Sequence, residues 1–336
     1  MHIAVIGAGS WGTALANLLG EKGYNVRLWV FEKSELEKMS NTYENALLLP
    51  GIKLSRNIIF SSDMGFCVKD AECVVSAVPS KAVKETAKKI AEYFDVETQT
   101  LVSVSKGLDA DTNERISEIF KRYIKGVTPV VLSGPSHAEE VSIKLPTTIV
   151  AASENIKKAE YVQELFMTDY FRIYTNDDII GVELGGALKN IIALCAGILE
   201  GMGMGDNTKA ALMTRGMTEI TRLGVCLGAR LQTFYGLTGM GDLIVTCTSR
   251  HSRNRRAGML IGQGFSADEA MKQVNMVVEG VPAVYAAYEL AKKSGIDMPI
   301  VNATYAVLKG EKKVNECLYE LMKRPKKNEN EHLLND

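Results

Sequence analysis

The 336-residue chain carries 39 Lys and Arg against 40 Asp and Glu, a formal net charge of −1, and 46% of its residues are hydrophobic. That length suggests two domains, the composition excludes a disordered chain, and the charge balance argues against a protein that coats nucleic acid. Only four histidines are present, and Cys67, Cys73, Cys195, Cys226, Cys247 and Cys317 form no Cys-x-x-Cys pair; no metal site is expected, and the cysteines read as reduced thiols.

The chain opens directly into Met1-His2-Ile3-Ala4-Val5-Ile6, without the basic and apolar regions of an export signal. Its most apolar run, Leu184 to Leu199, is broken by Lys189 and is short for a membrane span. A cytoplasmic chain with no membrane insertion is the expectation.

Short β-branched runs at His2–Gly7, Asn25–Val30, Ile58–Ser61, Cys73–Val78, Thr100–Val104, Val127–Leu132, Thr147–Ala152 and Phe171–Thr175 predict strands. Helical patterns fall between them over Gly12–Lys22, Ser80–Phe94, Thr112–Tyr123 and Asn155–Met167, with Asp111 or Thr112 and Asn155 as caps. This alternation predicts an α/β fold, a doubly wound and mostly parallel sheet over residues 1–176. From Asp177 onward apolar residues recur at helical spacing, through Leu184 to Leu199, Ala210 to Leu227, Val281 to Lys293 and Met298 to Leu308. An all-α domain is expected over residues 177–323, followed by a polar C-terminal tail over 324–336.

The first strand runs into Gly7-Ala8-Gly9-Ser10-Trp11-Gly12, a GxGxxG pattern with a strand before it and a helix beginning inside it. In that setting Gly7 serves the tight turn, Gly9 lets a pyrophosphate approach the backbone, and Gly12 lets helix and strand pack closely. Residues 1–176 are thus read as a Rossmann-like dinucleotide-binding domain. The acidic residue expected about 20 positions on, which accepts hydrogen bonds from the ribose hydroxyls, is Glu32, after Trp29-Val30-Phe31. A carboxylate there repels a 2′-phosphate and favours NAD(H) over NADP(H), although the neighbouring Lys33 is able to meet such a phosphate.

Three further segments place polar groups where apolar ones are expected. Lys106 ends Ser103-Val104-Ser105-Lys106 at the carboxyl end of the fifth strand, the edge where ligands of open α/β sheets bind. Lys189 is the sole charge in a long apolar helix behind Gly185-Gly186; burial would lower its proton affinity and fit it for acid–base work. Gly239-Met240-Gly241-Asp242 is followed by the basic stretch Ser249–Arg256, whose size suits a single phosphate better than a duplex. Tyr288 with Lys292 and Tyr319 with Lys323 match a Tyr-x-x-x-Lys pair, but both lie in the helical half, away from the sheet where that pair belongs.

In their order these segments, with Ser133-Gly134-Pro135-Ser136-His137-Ala138, Arg253-Asn254 and Val278-Glu279-Gly280, resemble the soluble NAD(P)-dependent glycerol-3-phosphate dehydrogenase family over nearly the whole chain. The resemblance implies reversible reduction of dihydroxyacetone phosphate to sn-glycerol 3-phosphate, serving glycerophospholipid synthesis, by a homodimer. It implies Lys189 as general acid/base, with Lys106 and Asp242 beside it. The implied substrate contacts are Lys106, Gly134, Ser136, Lys189, Asp242, Ser252, Arg253 and Asn254. The implied cofactor contacts are Ser10, Trp11, Phe31, Glu32, Lys106, Ala138, Arg253, Val277 and Glu279, beside Gly7, Gly9 and Gly12. At Phe31 and Glu32 the chain departs from bacterial members, which often carry His or Arg there, and is similar to NAD-preferring eukaryotic enzymes. Two alternatives stay open at this stage: a β-hydroxyacid or 6-phosphogluconate-type dehydrogenase, which shares the Gly-Gly-x-x-x-Lys arrangement, and a nucleotide-sensing protein without turnover.

Overall fold

A computed structural model describes residues 2–274 and 276–329. The chain forms two compact units: one holds the chain up to Lys106 together with Glu114–Ile179, the other holds Gly107–Asn113 together with the chain from Ile180 onward.

The first unit contains a sheet built from β1 (His2–Ile6), β2 (Val26–Trp29), β3 (Ile58–Ser61), β4 (Ala71–Ser76), β5 (Thr100–Ser103), β6 (Val130–Ser133), β7 (Thr147–Ala152) and β8 (Phe171–Asn176). Their order is β3-β2-β1-β4-β5-β6-β7-β8. Neighbours run parallel apart from β6 and β7. Side chains alternate faces along a strand, yet both faces here are apolar. Ile3 and Val5 join one buried cluster while Ala4 and Ile6 join another. A parallel sheet covered on both sides needs this, and it is why the strands read as continuous apolar runs. The covering helices are α1 (Ser10–Glu21), α2 (Lys33–Thr42), α3 (Met64–Val68), α4 (Val83–Ala91), α5 (Ile116–Tyr123), α6 (Ala138–Ser142) and α7 (Ile156–Phe166).

Two expected boundaries move for identifiable reasons. The sixth strand begins at Val130 rather than Val127, because Pro129 has no N–H to contribute to a ladder. The helix expected from Thr112 begins at Ile116. Asp109 Oδ1 instead takes the N–H groups of Asp111 and Thr112 at 3.1 and 2.9 Å, folding that stretch into a turn. Neither Asp111 nor Thr112 caps the helix; Glu118 does so by reaching back to the Arg115 N–H at 3.0 Å. Asn155 caps α7 through the Lys157 N–H at 3.1 Å, as expected.

The second unit is helical: α8 (Ile179–Gly201), α9 (Asp206–Cys226), α10 (Leu231–Phe234), α11 (Asp242–Thr248), α12 (Arg253–Gly262), α13 (Ala267–Val274), α14 (Gly280–Ser294), α15 (Pro299–Leu308) and α16 (Val314–Met322). At 23 residues, α8 is long enough to cross a membrane, so brevity is not what argues against a span. The decisive observation is that 94% of its apolar window is buried inside the fold, which makes it a core helix.

Helices α8 and α12 meet backbone to backbone through two pairs of glycines. A Cβ on Gly197 would stand 2.0 Å from the Arg255 carbonyl oxygen, and one on Gly201 would stand 2.2 Å from that of Met259. In return, a Cβ on Gly258 would stand 2.0 Å from the Leu194 oxygen and one on Gly262 would stand 2.2 Å from that of Ile198. No side chain fits at any of the four.

Residues 324–329 are tied to the helices. Arg324 pairs with Asp297 at 2.7 Å, and Arg215 of α9 donates to the Glu329 carbonyl at 3.4 Å. The remainder of the expected tail, 330–336, lies outside the described residues.

Glu219 on α9 accepts the Ile300 and Val301 N–H groups at the start of α15, at 2.8 and 3.3 Å. Burial outweighs these bonds and pushes its carboxyl up from 4.5 to about 7. A carboxyl whose proton is held more tightly in the folded state contributes stability below pH 4.5, and that contribution is lost as pH rises through 7. Over that window the wild type should lose about 3 kcal/mol that Glu219→Gln does not. Thermal melts of both proteins from pH 4 to 8 check this, and parallel curves would refute it.

Candidate nucleotide-binding and catalytic site

The turn after β1 has the geometry that the glycine pattern requires. Gly7 adopts φ +117°, and a Cβ there would stand 2.8 Å from the Ala77 carbonyl oxygen, at the end of β4. On Gly12 a Cβ would stand 2.0 Å from the Gly7 oxygen, whereas at Gly9 it would meet nothing within 4 Å. The strand order turns back between β1 and β4, and the carboxyl ends of strands at such a point are where open α/β sheets bind ligands. Gly9 precedes α1 with no side chain capping it and no acid in the first turn. The N–H groups and positive dipole of that helix end therefore face the open space that Gly9 leaves.

Buried polar groups lie at the same edge. The Trp11 indole N–H and the hydroxyls of Ser76, Ser103 and Ser133 are buried without a protein partner. The three serines end β4, β5 and β6, and Ser76 pairs in register with Ser103. Such groups are rarely left unsatisfied, so a polar molecule lying across these strand ends suits them. Open space at Gly9 and orphaned donors together fit a dinucleotide. Ala138, the first residue of α6, is buried against Ala14 and Trp11. Beyond β2, Phe31 is 68% exposed and stacks obliquely on Trp29 at 5.8 Å. Glu32 is exposed at the N-cap of α2, its side chain engaged in no cap.

Lys106, Gly134 and Ser136 come together in this unit. Lys106 Nζ donates to the Gly134 carbonyl at 2.7 Å and lies 3.5 Å from Ser136 Oγ, which itself donates to that carbonyl at 2.9 Å.

The second unit assembles a polar centre inside its apolar core. Lys189 on α8 is 5% exposed. Its Nζ lies 3.0 Å from Asp242 Oδ1 and donates to Thr246 Oγ1 at 2.6 Å. Thr246 in turn donates to Asp242 Oδ1 at 3.1 Å. A carboxylate at that distance, inside a core, opposes the loss of the proton that burial alone favours. Gly185 is what admits Asp242: a Cβ there would stand 2.9 Å from the Thr238 oxygen, in the wide turn Leu237–Gly241 that leads into α11. Thr246 was not singled out from the sequence. Its signal was its place four residues after Asp242, one turn along the same helix face.

The basic stretch is less of a loop than its composition suggests. Ser252 caps α12 by accepting the Arg255 N–H at 3.2 Å, and Arg253 is the first helical residue, half-buried. Asn254 donates to Asn190 Oδ1 at 2.8 Å and accepts the Gly280 N–H at 2.9 Å, tying α12 to α8 and α14. Arg255 is committed to Glu200 at 2.7 and 2.5 Å. Arg253 thus stands at a helix N-terminus, an arrangement suited to a phosphate. Val277 and Glu279 lie just before Gly280, in the segment that leads into α14. Among the described residues no group of His, Cys, Asp and Glu has the arrangement of a metal site.

A nucleotide-binding sheet and a buried lysine–aspartate pair define a nicotinamide-nucleotide-dependent oxidoreductase. Residues 2–159 match the family described as NAD-dependent glycerol-3-phosphate dehydrogenase N-terminus, and residues 178–319 match its C-terminus. The chain belongs to that family. It is 53% identical over 328 residues to a glycerol-3-phosphate dehydrogenase (NAD(P)+) of Moorella thermoacetica, covering 97% of each chain. It is 50% identical over 331 residues to the Carboxydothermus hydrogenoformans enzyme of that name, covering 98% of each. The crystal structure of glycerol-3-phosphate dehydrogenase from Coxiella burnetii superposes with a TM-score of 0.92 at 36% identity, over 96% of this chain and 98% of that one. Family membership over both halves excludes the carboxylate-substrate dehydrogenases and the sensor.

The geometry separates two glycine roles. Gly9→Ala, at φ −68° and with open space, should change stability by no more than about 1 kcal/mol while weakening NADH binding at least tenfold. Gly12→Ala should destabilise by about 1–3 kcal/mol as well, because its Cβ has no room. Melting curves and NADH titrations separate the two, and normal NADH affinity in Gly9→Ala would remove the pyrophosphate from that loop.

Proposed function

We propose that the protein reduces dihydroxyacetone phosphate reversibly to sn-glycerol 3-phosphate with a nicotinamide dinucleotide, and that Lys189 is its general acid and base. The observation that carries this reading is the buried lysine held 3.0 Å from Asp242 and 2.6 Å from Thr246. When bound, the nicotinamide supplies or accepts the hydride. In reduction, protonated Lys189 gives its proton to the carbonyl oxygen at C2; in oxidation, neutral Lys189 takes the proton of the C2 hydroxyl. Asp242 favours the ammonium form, and so poises the resting enzyme for reduction. Thr246 bridges lysine and carboxylate and fixes the direction of the Nζ–H bonds. Arg253, at the start of α12, holds the substrate phosphate, and C2 is positioned by that grip. Ser252 and Asn254 contribute by setting the end of α12 and its place against α8. Lys106, with Gly134 and Ser136, contacts substrate and nicotinamide from the sheet edge.

The cofactor is held at Gly7, Gly9, Ser10, Trp11 and Gly12, with further contacts from Phe31, Glu32, Lys106, Ala138, Arg253, Val277 and Glu279. NADH is preferred over NADPH because the Glu32 carboxylate repels a 2′-phosphate. The relatives' names cover both nucleotides, so the preference rests on this side chain. The protein acts as a cytoplasmic homodimer, which light scattering of the purified chain checks.

Lys189→Ala should lower kcat by 10²–10⁴-fold, the usual worth of a positioned acid or base, with KM changed far less. Near-normal kcat would discard the assignment. Thr246→Val, which keeps the shape and removes the hydroxyl, should lower kcat about tenfold. Asp242→Asn should move the rise of oxidation rate with pH to lower values, because the ammonium loses its counter-charge. It should also destabilise the protein by about 3–5 kcal/mol; an unmoved pH profile in Asp242→Asn would place proton transfer elsewhere.

Following absorbance at 340 nm with dihydroxyacetone phosphate should show NADH consumed faster than NADPH. Glu32→Ser should raise kcat/KM for NADPH at least tenfold. Equal rates with both nucleotides in the wild type would mean that Lys33 overrides Glu32.

A further inference from the structure

Further along α8 from Lys189, the helical unit holds a cavity of about 510 Å³, walled by α8, α9, α15, α16 and the segment that follows α16. Its deep wall is apolar and buried, from Ile198 and Leu199 of α8 to Ile300 of α15. The polar atoms within it are already engaged. Glu219 accepts the first N–H groups of α15, Thr304 donates to the Ile300 carbonyl at 2.7 Å, and Cys195 Sγ lies 3.0 Å from Thr304 Oγ1. The interior therefore offers little to orient a polar ligand, and what it gains on filling is the burial of hydrocarbon. The size lies within the range of small-molecule pockets, about 300–1,000 Å³.

The lining is polar elsewhere, and there its sign is positive. Arg215, Arg222, Arg324 and Lys327 all line the cavity, against Asp297 and Glu329 and the buried Glu219. Three of the four cations converge on a single residue: Arg324 and Lys327 on the Asp297 carboxylate at 2.7 and 3.9 Å, and Arg222 on its carbonyl at 2.7 Å. Four cations against three carboxylates leave the lining net positive, which suits an anionic headgroup.

We infer that this cavity is a binding site for a single-chain anionic amphiphile, its alkyl chain in the apolar interior and its carboxylate or phosphate monoester among Arg215, Arg222, Arg324 and Lys327. The site is separate from the reaction centre, and Lys189 and Cys195 are about 9 Å apart along α8. Binding is read without turnover, so its outcome is independent of the catalytic assignment.

The test is calorimetric titration of the full chain with octanoate, decanoate, decyl phosphate and decanol, all below their micellar concentrations. The expected result is one saturable site per chain, with affinity rising about fourfold per methylene and decanol at least tenfold weaker than decanoate. A tighter fit to decyl phosphate than to decanoate identifies the headgroup as phosphate, and the reverse identifies it as carboxylate. Ala303→Trp, which puts an indole into the cavity, should weaken binding at least tenfold. Lys327→Glu, on an exposed side chain, should weaken the anions severalfold and leave decanol unchanged, and it decides the matter if Ala303→Trp does not fold. Absence of saturable binding, equal affinity for decanol and decanoate, or indifference to both substitutions would overturn the assignment. So would loss of a dimer in Ala303→Trp with no amphiphile bound by the wild type, since a second copy of the chain would then be the occupant.

Discussion

The contact between α8 and α12 is the constraint on which the helical unit depends. With glycine at 197, 201, 258 and 262, carbonyl oxygens lie where β-carbons would otherwise be. The two backbones can therefore approach more closely than the ~8–10 Å of helices held apart by side chains. One end of that contact is locked by the Asn254–Asn190 hydrogen bond. Arg253 precedes Asn254 and Lys189 precedes Asn190, so the start of α12 and the buried lysine are positioned by the same contact. Placement of this kind rests on backbone shape, with a single side-chain pair to fix its end.

Against that rigid frame the Lys189–Asp242 pair is an expense. Two charges removed from water lose several kcal/mol each of hydration, and their attraction rarely returns a surplus over well-packed apolar residues. Its presence in an apolar helix is therefore not explained by stabilisation. Thr246 satisfies both partners at once, the condition under which a buried polar cluster is tolerable. The glycine at 185 makes room for the turn that delivers the carboxylate.

The sheet and the nucleotide loop were legible because their signals are local: a β-branched run, a glycine pattern and the helix behind it. The strands of the mostly parallel sheet were found in order, with Pro129 accounting for the late start of β6. Lys189 was legible as a charge out of place. What escaped was long-range. Nothing near Thr246 in sequence says that a lysine 57 positions away donates to it, and the spacing of Gly197 and Gly201 acquires meaning only with Gly258 and Gly262 across from it. The helix at Arg253 was obscured by its basic composition, which reads as a solvated loop until the Ser252 cap is seen. The turn at Asp109 competed successfully for the N–H groups that the expected helix start would have used.

The excursion Gly107–Asn113 gives the chain an interwoven topology. It leaves the sheet unit immediately after Lys106, contributes Leu108 to the hydrophobic core of the helical unit, and returns before α5. A gene fragment starting near residue 180 would therefore encode a helical body missing a piece of its own core. The complementary fragment would carry an internal loop whose Leu108 has lost its socket. The two halves are accordingly poor candidates for separate expression or for modular exchange, and the protein is best regarded as one heritable unit despite its two compact bodies.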